Sequence, residues 1–174
     1  MKKYVFLVLA LPAFIACNSS EPTNSDSTAA GIQLPYQAGY ATDFNNKVSD
    51  SDLLVVLNSY KYWETGDMSA LRSTLADSID VMGANGFKFN GSTDSLIKIW
   101  GPQRDSLSSV SITMDVWLKN HSVKDSMDFI NVWYKEVDTY KTGKVDSANF
   151  ADINQLKNGK IYWYSQYRQE LKKK

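Results

Sequence analysis

The acids Asp115, Glu136 and Asp152 are side chains that strand geometry can gather on one surface beside tyrosine and tryptophan. Carboxylates sharing a desolvated, aromatic-walled site are driven to different pKa values, so that one serves as acid and the other as base. Their placement follows from counting. Val110, Ile112, Met114, Val116 and Leu118 alternate with Ser111, Thr113, Asp115, Trp117 and Lys119, a period of two that marks a strand. A second strand runs from about Asp128 to Tyr140, and if segment 122–127 closes the hairpin symmetrically, Asp115 faces Tyr134. Asn158-Gly159 suits a two-residue type I′ turn, since both central residues need positive φ, and it pairs Leu156 with Ile161. Counting outward sets Asn154 against Trp163, Asp152 against Ser165 and Phe150 against Tyr167. One side then carries Asp115, Tyr134, Glu136, Asp152, Asn154, Trp163 and Tyr167. The other carries Ala151, Ile153, Tyr162, Tyr164 and Gln166.

Of the first set, Asp152, Asp115, Tyr134, Asn154, Trp163 and Tyr167 are the ligand-binding candidates. Asp152 leads them, because its position rests on the well-defined Asn158-Gly159 turn. A one-residue slip would exchange the two sides of a strand. The same alternation also suits a face that meets solvent or a second copy of the chain. That reading is preferred to catalysis, and no catalytic residue is assigned.

Other chemistries have less support. His121 is the only histidine, but it sits in the polar stretch Lys119-Asn-His-Ser-Val-Lys124, well beyond Asp115 along the strand, and reads as a surface residue. One cysteine and one histidine cannot build the usual zinc shells, and no His-x-His or Glu-x-x-His spacing occurs. Neither a metal nor a cofactor is expected. Nineteen basic residues balance nineteen acidic ones, and the longest basic run is Lys172-Lys173-Lys174, so the footprint of phosphate-backbone binding is missing and nucleic acid is an unexpected partner.

The N-terminus has its own logic. Lys2 and Lys3 precede the apolar stretch Tyr4 to Ile15, which is shorter than the roughly 20 residues a spanning helix needs. Phe14-Ile15-Ala16-Cys17 resembles a bacterial lipobox, with phenylalanine where leucine is more usual. The resemblance implies cleavage after residue 16 and acylation of Cys17; the alternative is an ordinary signal peptide cut nearby that leaves a free thiol. Asn18 to Thr28 is polar throughout and offers too little apolar surface to offset the entropy of ordering it, as befits a tether. The expected organisation is signal peptide 1–16, then lipidated cysteine, tether and extended surface arm over 17–50, then a folded domain over 51–171. The expected location is the cell envelope, at the outer membrane, with the acyl anchor as the membrane contact.

The elements that must position the acids come next. Leu53, Leu54, Leu57, Tyr60 and Trp63 follow helical spacing, with Asp50, Ser51 or Asp52 as N-cap and Gly66 as terminator. Asp67 caps a second helix whose face carries Met68, Leu71, Leu75 and Ile79; Gly83-Ala-Asn-Gly86 then turns between two short strands. Ser92 or Thr93 starts a third helix, which Gly101-Pro102 should break or kink and Leu107 should close. Three helices, a short hairpin and four long antiparallel strands make an α+β plan, with the helices packed on a curved, cone-shaped sheet.

From about residue 51 to 171 the chain resembles the nuclear-transport-factor-2-like superfamily, with its SnoaL-like and ketosteroid-isomerase-like members. The resemblance rests on Trp63-Glu-Thr-Gly-Asp67, Leu75-Ala-Asp-Ser-Ile-Asp-Val81 and the hairpin Leu156-Lys-Asn-Gly-Lys-Ile161, in that order. It implies a cavity between helices and sheet, and a dimer formed through the sheet. It also puts Gly83 where the ketosteroid isomerases hold their catalytic aspartate, and Asp80, three residues away on a strand, points to the opposite face. That mechanism is not supported. The expected function is an envelope lipoprotein whose domain binds a small molecule or a protein partner without catalysis. The alternative is a SnoaL-like isomerase, hydrolase or cyclase using Asp152, Asp115 or Tyr134.

Overall fold

Ser49 opens the first helix of the computed structural model, which describes residues 35–36 and 38–171. Cys17, the signal segment and the tether lie outside the described residues. The Ser49 side chain accepts from the Asp52 amide at 3.0 Å, and Asp50 and Asp52 add negative charge at the positive end of the helix. The cap therefore stands one residue before the earliest of the three expected positions. Helix α1 (Asp50–Thr65) ends where Gly66 turns to φ +79°, a conformation that suits glycine.

Asp67 caps α2 (Met68–Thr74) by accepting from the Ala70 amide at 2.9 Å, as expected. The expected helical face through Leu75 and Ile79 does not exist, because α2 stops at Thr74 and β2 (Leu75–Met82) begins at once. A four-residue spacing is both about one helical turn and two strand repeats, so burial of Leu71, Leu75 and Ile79 fits either period. The Gly83–Gly86 turn leads to β3 (Lys88–Ser92), and Ser92 caps α3 (Thr93–Asp105). The expected break at Pro102 is absent. Proline forfeits one helical bond, to the Lys98 carbonyl, but only Gln103, Arg104 and Asp105 follow it in the helix, and Leu107 starts the next strand rather than closing the helix.

The four long strands are β4 (Leu107–Ser122), β5 (Met127–Tyr140), β6 (Val145–Lys157) and β7 (Lys160–Glu170). With β1 (Phe44–Asn45), β2 and β3 they form one open, seven-stranded sheet in the order β1-β4-β5-β6-β7-β2-β3. All pairs are antiparallel except β2 with β7. The expected surface arm thus contributes a short edge strand from Phe44 and Asn45, paired with His121 and Ser122. The core lies between the helices and one sheet face, where Val56, Tyr60 and Leu96 meet Ile79, Val81, Ile130, Val132 and Tyr134.

Two irregularities decide which side chains face that core. The β4–β5 register shifts between Met114 and Val116, leaving Asp115 as the extra residue of a bulge. The β6–β7 register shifts next to the hairpin: Leu156 pairs with Ile161 as expected, but Gln155 then pairs with Trp163, so Tyr162 is the extra residue. Beyond it Asn154 pairs with Tyr164 and Asp152 with Gln166, and β7 presents its other face.

Candidate functional site

A single carboxylate oxygen gathers three tyrosines. Tyr60 of α1, Tyr134 of β5 and Tyr164 of β7 donate their phenolic protons to Asp152 Oδ2 on β6, at 2.9, 2.9 and 2.8 Å. Asp152 is 1% exposed, and its Oδ1 has no partner. Burial disfavours the ionised form and the three hydroxyls favour it; burial prevails and pushes the carboxyl up to about 7. Burial, and then the negative charge of Asp152, in turn raise all three phenols well above their usual range.

Two amides close the network. Asn154 Nδ2 donates to Tyr60 Oη and to the Ile130 carbonyl, both at 3.2 Å, while Gln166 Nε2 donates to Tyr134 Oη at 3.1 Å and Tyr164 Oη at 2.7 Å. Each phenol both donates and accepts, which fixes its ring. Tyr134 further stacks on Phe150 with centroids 5.2 Å apart, and Tyr60 meets Tyr134 edge-on at 5.0 Å.

In front of these rings lies a cavity of about 430 Å³, a size that suits a small organic ligand. Tyr60, Tyr134 and Tyr164 form part of its wall, and Asp152 stands behind them without lining it. Trp100 crosses Trp63 and Tyr164 edge-to-face, at 6.4 Å in each case, and completes the aromatic surround. Two acids do line the space: Glu136 and Asp138, alternate residues of β5. Burial, then the charges of Asp138 and Asp152, push Glu136 up to about 8, against a hydrogen bond from Trp63 that lowers it. Burial and Asp146 raise Asp138, against the pull of Arg104. One Asp138 oxygen, Oδ1, is buried without a partner.

Of the six sequence candidates, Asp152, Asn154 and Tyr134 come together here. Asp115 does not: it sits exposed on the β4 bulge. Trp163 and Tyr167 do not either, because the extra residue Tyr162 turns them to the outer face, where Tyr167 is largely exposed. Tyr164 and Gln166, assigned to the outer side by simple counting, take their places. Tyr60 escaped because it matched an apolar helical position; a buried tyrosine needs a partner for its hydroxyl, and that was the signal available. Gly83 lines the cavity and brings no carboxylate to it, while Asp80 pairs with Trp163 on the outer side. His121 lies one residue before the end of β4 and pairs with Asp128 at 2.7 Å, outside the cavity lining.

No family model matches the chain, and no curated protein matches it significantly. Solved structures do. A nuclear-transport-factor-2-like protein of unknown function from Exiguobacterium superposes with a TM-score of 0.56 at 16% identity, over 67% of this chain and 99% of its own. A ketosteroid isomerase-like protein from Erwinia carotovora atroseptica gives 0.58 at 14% identity, over 73% and 100%. An LEH-like epoxide hydrolase of M. tuberculosis gives 0.58 at 7% identity, over 70% and 84%. At such identities the likeness concerns the fold and not the chemistry. Three helices packed on an open, curved, mostly antiparallel sheet, shared along nearly the whole of these structures, give this domain the nuclear-transport-factor-2-like fold.

Proposed function

We propose that this domain binds a small, largely apolar molecule with one polar end in the cavity between its helices and sheet. The observation that carries the reading is the cavity itself: about 430 Å³, walled by aromatic rings held in place by hydrogen bonds, with Glu136 and Asp138 at the polar end. A preorganised aromatic wall limits the ordering cost of binding. The test is a thermal-shift screen of compounds of up to about 25 heavy atoms on residues 17–174 carrying Cys17→Ser, since a ligand of the folded state alone raises the melting temperature. Filling the cavity with Ser59→Trp should abolish the response. A response that survives the filling puts the ligand elsewhere, and a screen without hits removes the reading.

An acid–base enzyme is the second reading, favoured by one observation: Glu136 lines the cavity and titrates near pH 8. It would place the reacting proton on Glu136, with Asp152 acting through the tyrosines. On the outer face, the row Val116, Trp133, Ala151 and Tyr167 runs across four strands and suits a second copy of the chain.

The domain works, on the same proposal, as a lipoprotein of the cell envelope, held at the outer membrane through acylated Cys17. Losing Lys2 and Lys3 with the signal leaves the mature side chains with two more acids than bases, which does not favour electrostatic attachment to anionic lipid. Cys17→Ser should yield a chain free of acyl groups, found in the soluble fraction or kept as precursor. Mass spectrometry of the mature N-terminus reads this out, and an unmodified Cys17 in the unaltered protein overturns it.

A further inference from the structure

The cavity lining carries two acids, Glu136 and Asp138, beside one base, Arg168, and Asp152 lies one layer behind. The cations facing this group are Arg104 of α3 and Arg168 of β7, and both are engaged. Arg104 donates from Nε to the Trp63 carbonyl at 2.7 Å and from Nη2 to the Glu64 carbonyl at 2.9 Å. Arg168 holds Asp146 through Nη2 at 2.9 Å and Glu170 through Nη1 at 2.8 Å. Neither arginine makes a hydrogen bond to Glu136, Asp138 or Asp152, and Asp138 Oδ1 is buried with no hydrogen bond at all.

Beside these acids stand electron-rich rings. Trp63, Trp100 and Tyr164 line the same cavity and follow one another at interplanar angles of 68° and 80°. Rings turned so strongly against each other can offer more than one π face to a single charge. We propose that the ligand is an organic cation, an apolar amine or quaternary ammonium whose charged nitrogen sits between these rings and the carboxyls of Glu136 and Asp138. This rests on the cavity-binding reading above and names the chemical class of its ligand.

The alternatives fit less well. An anion would meet the Asp138 carboxyl and, once Glu136 gives up its proton near pH 8, a second negative charge, and a low-dielectric site strengthens that repulsion. A neutral molecule offers the Asp138 carboxyl a hydrogen bond at most and no countercharge. A cation supplies the countercharge and desolvates readily when its charge is spread over alkyl groups. It also competes with the proton that Glu136 retains to about pH 8. Affinity for a cation that does not itself titrate therefore rises with pH.

The test is calorimetric titration of residues 17–174 carrying Cys17→Ser with two probes of one shape, benzyltrimethylammonium and its neutral carbon analogue neopentylbenzene. The expected result is binding of the ammonium about tenfold or more tighter than the neutral analogue at pH 8. The preference should shrink about threefold or more by pH 6 and disappear in Glu136→Gln with Asp138→Asn. Equal or tighter binding of neopentylbenzene overturns the cation and leaves the cavity reading standing. Binding of neither probe overturns the cation and leaves the cavity reading to the thermal-shift screen. A preference that survives the double change places the cation away from these acids and overturns the assignment.

Discussion

Changing Asp152 to asparagine should raise the melting temperature of the domain at pH 8 and alter it little at pH 5. The wild-type carboxyl holds its proton to about pH 7 when folded, against an ordinary value of 3.8, so the native state binds more protons than the unfolded chain between those limits. Stability therefore falls as pH rises from about 4 to 7, by up to about 1.4 kcal/mol for each unit. The ceiling is of order 4 kcal/mol. Asparagine does not titrate, so the variant loses this slope; it keeps one carbonyl oxygen for the phenols and gives up their charge-assisted bonds. The net gain at pH 8 is of order 2 kcal/mol. Glu136, raised from 4.5 to about 8, adds a slope of the same sign that the variant retains in part. Thermal unfolding followed by circular dichroism from pH 5 to 9 decides the matter: a variant less stable than wild type at pH 8 would mean that the three tyrosines outweigh burial.

Arg104→Met should cost about 3–5 kcal/mol, enough to threaten a domain of this size. Arg104 is 9% exposed, and its guanidinium, from α3, holds the carbonyls of Trp63 and Glu64 in the last turn of α1. Helix ends leave such carbonyls without intrahelical partners, and Gly66, turning away at φ +79°, lets the chain pass close to the guanidinium. Methionine keeps much of the volume and none of the donors, so the carbonyls of Trp63, Glu64 and Leu107 lose their charged partner at once. Asp138 also loses the cation that pulls against its burial. Lysine should recover less than half of the loss, since one ammonium cannot reproduce the planar fork. Urea denaturation gives the number, and a cost below about 1 kcal/mol would show that water replaces the guanidinium.

Local signals read from sequence reached the elements but not their fine register. Gly66, Asp67 and Ser92 punctuate the helices because their reasons are local: positive φ in one case, a side-chain acceptor in the others. Asn158-Gly159 set the hairpin correctly, with Asn158 at φ 54° and Gly159 at φ 70°. One residue later the count failed, since nothing in Ile161-Tyr162-Trp163 announces that Tyr162 is surplus, and a bulge moves every later side chain across the sheet. Asp115 was lost in the same way on β4. The acids on β5 and β6 kept their face because the β5–β6 register has no shift, which is why Asp152, Asn154 and Tyr134 meet as counted. Pro102 misled for a different reason: it costs the bond to the turn before it, and that single loss does not end a helix with only three residues left to run.

The convergence on Asp152 Oδ2 also bears on how the chain reaches its native state. Its three bonds span 12, 18 and 92 residues of sequence. The two shorter ones can close as soon as β5, β6 and β7 zip into adjacent hairpins, whereas the Tyr60 bond must bridge the longest loop and carries the largest entropic cost. Docking of α1 onto the sheet is therefore expected to follow most of the non-local strand pairing, which φ-value measurements on α1 would check, and topology of this kind folds slowly. Until that docking the carboxyl remains open to water and ionises as an ordinary aspartate, so protonation state distinguishes a nearly folded chain from a finished one.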